Sequence, residues 1–359
     1  ASNNTAVGFN AMIANTTGAL NTAVGSNALD ANTTADQNSA VGYNSLSSNT
    51  TGEQNTGVGT NSLYSNSTGS NNVGIGKRAL YSSTTASNNV AVGTNALDAS
   101  TTGHSTVCAG TNAGGAITTG VFNTAIGHEA LDVCTTNSFN VAVGSGALGA
   151  SNQSANTAVG HNAAHNANSA ANLTCVGTDA GQNTTSGSSN TFIGRSAGIN
   201  NTTGSDNTCI GNGANVSDGN SVHRISLGNG FTNESNNTFA FGKSGNVVHN
   251  IFTSNATFTR NSDVSLKKDI LTNTDCGLDF INDLRTVTFK WIESDHKEKM
   301  YGFIAQEVKE ALDKHNITDF NGWHEFKDGK QGISYEMFIM PLVKAIQELS
   351  AKVTALEAG

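Results

Sequence analysis

For some 240 residues the chain alternates a short apolar pulse with a longer polar stretch, and the pulse returns at a fixed interval. The pulse is Asn-Thr-Ala-Val-Gly or a close variant, as at residues 4–8, 21–25 and 123–127. Its closing glycines are Gly8, Gly25, Gly42, Gly59, Gly76, Gly93, Gly110, Gly127, Gly144, Gly160, Gly177, Gly194, Gly211 and Gly228, spaced 17 residues apart except for one step of 16. A looser fifteenth copy ends at Gly242. Such a repeat predicts a solenoid, in which each residue lies above its equivalent one coil earlier. The residue before the glycine is Val, Ile or Leu in 13 of 15 copies, which predicts a core stripe. Three residues past the glycine, the first thirteen copies carry only Ala or Ser, often followed by Leu, as in Ala28-Leu29 and Ser45-Leu46. Small residues there predict close packing. Four residues before the glycine, Asn fills 11 of 15 copies. Either stacked amides bond along a ladder, or Asn simply tolerates the turn conformation.

Thr-Thr-Gly segments, such as those at residues 16–18 and 101–103, supply turn chemistry between copies. One coil is therefore predicted as strand, tight corner, short strand and turn. Fifteen coils at about 4.8 Å each would extend for roughly 70 Å. So thin a coil encloses little apolar volume, and a column of Ala offers a flat face, which together predict lateral association into a trimer.

After residue 261 the pattern changes. Leu278, Phe280 and Ile281 predict a short helix, and Val287, Phe289 and Trp291 alternate as in a strand. Near the end, Leu342, Ile346, Leu349, Val353 and Leu356 are spaced 4, 3, 4 and 3, the spacing of a coiled-coil seam or of one amphipathic helix packed on its own domain. Charge marks the same boundary. Residues 1–261 hold 6 Lys/Arg and 10 Asp/Glu, whereas residues 262–359 hold 12 and 17. The net charge of −9 divides as −4 and −5, so neither part offers the basic surface that nucleic acid or an anionic membrane requires. No apolar run approaches the roughly 20 residues that span a bilayer, so the chain reads as soluble. The five cysteines, Cys108, Cys134, Cys175, Cys209 and Cys276, are odd in number and scattered, unlike a disulfide framework, and fit synthesis in a reducing compartment.

The Ala-Val-Gly and Asn-Ala-Leu elements resemble the head repeats of trimeric autotransporter adhesins, with a longer period. A more specific resemblance is carried by residues 262–270 (Ser-Asp-Val-Ser-Leu-Lys-Lys-Asp-Ile), residues 302–308 (Gly-Phe-Ile-Ala-Gln-Glu-Val) and residues 345–349 (Ala-Ile-Gln-Glu-Leu). These three ordered motifs resemble the self-cleaving intramolecular chaperone at the C-terminus of phage endosialidases, tail spikes and tail fibres. Ser265 departs from the Arg common in such relatives. The resemblance implies cleavage between Asn261 and Ser262, with Ser262 as nucleophile and Lys267 as its base. That chemistry is sound, since a serine hydroxyl needs a base and burial can lower a lysine pKa toward neutrality. Asp263 either caps the following helix or orients the dyad, and Lys268 is a solvated neighbour.

The chain is thus expected to be a β-solenoid (parallel β-roll or β-helix, 17-residue coils) at residues 1–242, a junction at 243–261, and a small α+β chaperone and autoprotease domain with a C-terminal coiled-coil helix at 262–359. The expected whole is a homotrimeric tail-fibre or tail-spike segment of a virion, made in the host cytoplasm and attaching to a host-surface glycan receptor. No cofactor, metal, nucleic acid or membrane insertion is expected. The alternative is a glycan depolymerase, for which Asp98 and Asp132, two coils apart on a solvated corner, are the best-stacked carboxylates. A membrane-tethered transcription factor with the same domain would need a basic surface that is missing. His161 and His165 could hold a metal ion, but fit surface polar positions of a repeat better. The Asn-x-Ser/Thr matches, such as residues 15–17, follow from composition.

Overall fold

The computed structural model describes residues 1–252, 259–260, 264, 267–290 and 299–359. Each coil contributes one three-residue strand, from Thr5–Val7 in the first to Thr208–Ile210 in the thirteenth. Every strand pairs in parallel with its counterpart one coil on, Thr5 opposite Thr22 and Val7 opposite Val24. Arg224–Asn229 and Thr238–Lys243 continue the parallel ladder. Asn246–Ile251 and Thr259–Arg260 then close the 17-stranded sheet in antiparallel fashion. At the 16-residue step Val141 still lies opposite Thr157, so the missing residue is absorbed in the corner before Asn156 and the register survives.

The column before the glycine is not the core stripe expected of it. In each short strand after the first, the middle residue is buried and its two neighbours face outward. Ala23, Ala40 and Ala91 are fully buried, whereas Val24, Val41, Val58, Ile75 and Val92 are each 37–40% exposed. The small column after the glycine is likewise not a partner face. Ala28, Ala79 and Ala96 are fully buried, and Leu29, Leu46 and Leu63 are buried beside them. A 17-residue coil closes on so little volume that one Leu and two Ala-sized residues fill it in most coils, and a larger residue enters only where a neighbouring column shrinks, as Ile117 does beside Gly114.

The short second strand is also missing from most coils. Opposite the sheet, backbone N–H groups still donate to the next coil, Leu29 N to Ser45 O at 3.1 Å and Ala31 N to Ser47 O at 3.2 Å. The segment turns rather than extends, because Asn27 (φ 53°) and Leu29 (φ 50°) are both left-handed. A branched residue at positive φ is held only where its surroundings over-determine it, as the buried Leu column does. The second side becomes strand only near its end, where Asn215–Val216 pairs with Thr232–Asn233.

Volume is conserved between columns. Phe192, fully buried in an Ala position, is flanked by Gly181 and Gly198, where Leu usually stands; a Cβ on Gly198 would lie 2.3 Å from the Phe192 ring. Ser45 and Ser62 in the small column face Gly57 and Gly74 in the strand, and the hydroxyls donate to those glycine carbonyls at 2.9 and 2.7 Å. Cys108, Cys175 and Cys209 also occupy the inward strand column; all are free, and burial pushes the last two thiols up to about 12. They are packing residues.

Asn does more than tolerate a turn. The N–H of Asn21 donates to Asn4 Oδ1 at 2.8 Å, and that of Asn38 to Asn21 Oδ1 at 2.8 Å, while each Nδ2 reaches a carbonyl of the neighbouring corner. A second column, seven residues past the glycine, forms the amide-to-amide ladder itself, with Asn32 Nδ2 on Asn15 Oδ1 and Asn66 Nδ2 on Asn49 Oδ1, both at 2.9 Å. These bonds satisfy polar backbone that the interior hides from water.

The closing glycines are obligatory. Gly93 has φ +135°, and a Cβ there would lie 2.5 Å from the Gly110 carbonyl oxygen. Gly93→Ala is therefore expected to destabilise the shaft by on the order of 3 kcal/mol. A thermal melt should show the fall, while Ser26→Ala, at a partly exposed site one past a glycine, should leave the melt unchanged.

Contacts divide the chain into two units, Ala1–Leu266 and Lys267–Gly359. In the second, α1 (Leu278–Asn282) matches the expected short helix. Val287–Phe289 pairs antiparallel with Met300–Gly302, while Trp291 lies outside the described residues. Then come α2 (Ala305–Lys314), the hairpin of Trp323–Glu325 with Gln331–Ile333, and α3 (Ile339–Glu357). Phe280, Val308, Leu312, Ile317 and Phe338 form its core. Glu348 on α3 accepts the Leu278 N–H of α1 at 2.7 Å, and that bond holds its carboxyl below the usual range.

Candidate functional site

Three parts of the molecule bear on function: the junction between the units, the motif-bearing cleft of the second unit, and two unpaired apolar surfaces. At the junction, Thr259–Arg260 is an edge strand whose Arg260 lies opposite Val248. The ladder therefore holds residues 259 and 260, directly before Asn261. Asn261, Ser262 and Asp263 lie outside the described residues. Lys267 is described and exposed, as is Lys268.

In the second unit, the Gly-Phe-Ile-Ala-Gln-Glu-Val motif forms the end of a strand and the start of α2. A Cβ on Gly302 would lie 2.2 Å from Tyr335 Oη, so only glycine lets the Tyr335 ring approach. Tyr335 Oη accepts the Phe303 N–H at 3.1 Å, and the two rings stack at 5.8 Å. Arg285 Nε donates to Glu307 Oε2 at 3.0 Å, tying the strand region to the first turn of α2 and holding the Glu307 carboxyl below its usual range. These groups border an open cleft of about 940 Å³, lined by Arg285, Phe289, Tyr301, Ile304, Gln306 and Tyr335 among others.

The seam of α3 is exposed along its length, with Leu342 at 46%, Ile346 at 65% and Leu356 at 82%. Of the two readings of that spacing, packing on its own domain fails, because the residues that face the domain are others, such as Pro341 and Ala345. The shaft offers a second apolar surface. Across the thirteen short strands the outward positions are Thr, Ser or Val at the first and Val, Ile or Ala at the third, and none carries a charge. Sequence reasoning missed this face, although strand parity signals it. Asn and Ala alternate with Thr and Val, so if Asn and Ala point in, Val points out.

The remaining candidates separate. His165 Nδ1 lies 2.8 Å from Gly146 O, and His161 lies beside Asp179. Asp98 and Asp132 are not on a freely solvated corner: both are partly buried, and Asp98 pairs with Arg78 at 3.4 Å. Desolvation, then the charges of Glu129 and Asp98, raise the Asp132 pKa. A carboxyl raised on folding costs stability at high pH, so Asp132→Asn is expected to raise the melting midpoint at pH 7, by about 1–2 °C. The gain should fade as the pH falls through the raised value of the folded state and be gone below the unfolded value of about 3.9.

Residues 262–317 match the family model described as the chaperone of endosialidase. This is the self-cleaving peptidase family, and the match opens at residue 262, where the repeat composition has already given way. A β-solenoid followed by this domain fits a phage tail fibre with a C-terminal chaperone. No curated protein and no solved structure matches the chain.

Proposed function

We propose that the chain is a homotrimeric tail-fibre segment that attaches the virion to its host, and that its chaperone directs trimer assembly and then cuts itself off between Asn261 and Ser262. The observation that carries the reading is the chaperone match opening at residue 262, directly behind a long run of near-identical coils. Coils this alike can pair one step out of register with almost the same contacts, and copies can stagger by one coil at small cost. An end domain that associates first sets the stagger. The exposed α3 seam suits that association, and the uncharged Val and Ile face of the shaft suits the lateral contact that follows.

In the proposed cleavage, Ser262 Oγ attacks the Asn261 carbonyl carbon and gives its proton to Lys267. The C–N bond breaks, the amine of Ser262 takes that proton, and an ester joins Asn261 to Ser262 Oγ. Water then hydrolyses the ester, leaving the Asn261 carboxylate. Loss of the chaperone would leave an assembly unable to refold readily, whose persistence is kinetic.

Expression of residues 1–261 alone tests the coupling. It is expected to give aggregate or misassembled chains, whereas the full chain gives a trimer by native mass. Equal yields of equally heat-resistant trimer would overturn the chaperone's role.

A further inference from the structure

The shaft's regularity fails most at its last coil, and the failure leaves a cavity. Gly228 and Gly242 pair in register yet stand 14 residues apart, where most earlier closing glycines stand 17 apart. The last coil is therefore short on the side opposite the sheet. Past it the chain turns at Gly245 (φ +80°) and returns antiparallel as Asn246–Ile251. Between the short coil and this hairpin lies a cavity of about 380 Å³, the size of a small-molecule site. Cβ atoms on Gly230 and Gly245, both at its wall, would meet nothing within 4 Å.

Its wall is braced. Arg224 stands where earlier coils carry Asn, and its guanidinium is buried. Nη1 donates to Ser217 Oγ and Asn233 O, both at 2.7 Å, and Nε donates to Asn236 Oδ1 at 2.8 Å. Thr238 Oγ1 donates to Asn233 Oδ1 at 2.7 Å. The intervening Glu234 and Ser235 are thus held at both ends, so the site is preformed and binding need not order a loop.

The lining is of two kinds. Phe231 and Ala240, both nearly fully buried, form its floor and the part-buried Val247 adds apolar surface, while Glu234, Ser235, Ser244 and His249 supply polar groups. Those four side chains make no hydrogen bond among the described residues. Lys and Arg are absent from the lining, which disfavours phosphate or sulfate, and no group of three metal-ligating side chains occurs among the described residues. An apolar patch beside unspent hydroxyl, carboxylate and imidazole groups suits a molecule with a C–H face and a hydroxylated edge.

We propose that this cavity binds one sugar residue of a surface glycan, with Val247 against its C–H face and Glu234 and His249 hydrogen-bonding its hydroxyls. The inference rests on the attachment reading above and gives that attachment a location.

The test uses the purified full-chain protein on immobilised oligosaccharides ending in hexose, N-acetylhexosamine or heptose. The parent is expected to bind at least one class. Ser244→Trp, which fills the cavity from an exposed turn, and Glu234→Gln are each expected to weaken that binding tenfold or more without lowering the melting midpoint. Thr94→Trp, in mid-shaft, should leave it intact. Parent protein that binds none of the panel, or both variants binding as the parent does, would overturn the site. Adsorption to a typed panel of bacterial strains separates the two readings. Equal adsorption by parent and variants keeps attachment and rejects this cavity, and no adsorption by the parent rejects attachment itself.

Discussion

Ser262→Ala and Lys267→Ala should each leave a single full-length band on a denaturing gel, where the parent resolves into a shaft ending at Asn261 and a chaperone beginning at Ser262. The expected effect is near-complete loss, because neither residue has a substitute in the proposed chemistry. Without the hydroxyl no acyl shift can begin; without the amine the hydroxyl stays protonated near neutral pH and the departing amine lacks its proton. Lys267→Arg separates charge from basicity. Arginine keeps the positive charge but cannot give up its proton in a protein, so cleavage should stay lost. Cleavage by Lys267→Arg at the parent rate would remove Lys267 from the role of base. Trimer mass should persist in the uncleaved variants, since assembly is proposed to precede the cut.

Placing a charge on the Val face should abolish lateral assembly while sparing the coil. Val92 and Val159 are 40% and 37% exposed in a single chain, so lysine at either position reaches water and leaves the coil's interior untouched. At a closed interface the same lysine would be buried without a partner, at a cost of several kcal/mol per copy. The double variant Val92→Lys/Val159→Lys is expected to give monomer or aggregate by native mass with an unchanged β signal in circular dichroism. Val92→Thr, which keeps shape and neutrality, should retain the trimer. A standard interface buries about 800 Å² per partner, and a stripe running through thirteen coils is long enough to supply that. A lysine double variant that forms a trimer as heat-resistant as the parent would place the contact on another face.

Much of the architecture was legible because a solenoid is local. The 17-residue period, the obligatory glycine and the Thr-Thr-Gly corner all repeat within one coil, and stacking follows from repetition alone. The inside of the coil was misread. The pattern points to Val as core, since it is the most apolar residue of the motif, and to Ala as a contact face, since it is small. Closure reverses both, since a narrow coil selects residues by volume: Ala, Ser, Gly and one Leu fit together, and a larger side chain needs a glycine beside it. The pairing of Phe192 with Gly181 and Gly198 follows the same rule. The left-handed Leu29 column could not be read either, because no propensity predicts Leu at φ 50°.

For the candidate site, the motifs around Ser262 and Gly302 were readable as ordered text, and the family match spans both. The bracing of Gly302 by Tyr335, 33 residues downstream, was not, since it depends on how a strand and a later turn pack. The end cavity was equally hidden. Its cause is visible as a shortened repeat, but a missing three residues does not say whether the chain closes the gap or leaves it open.

By itself, then, the order of residues determined the coil, its period, the place where the repeat stops and the identity of the domain that follows. Tertiary structure alone decided which columns face in, which apolar face is left exposed, and where the last coil leaves a hollow. The division has one physical reason: hydrogen-bonded stacking depends on spacing, which the sequence states, whereas burial depends on the volume a closed coil encloses, which it does not.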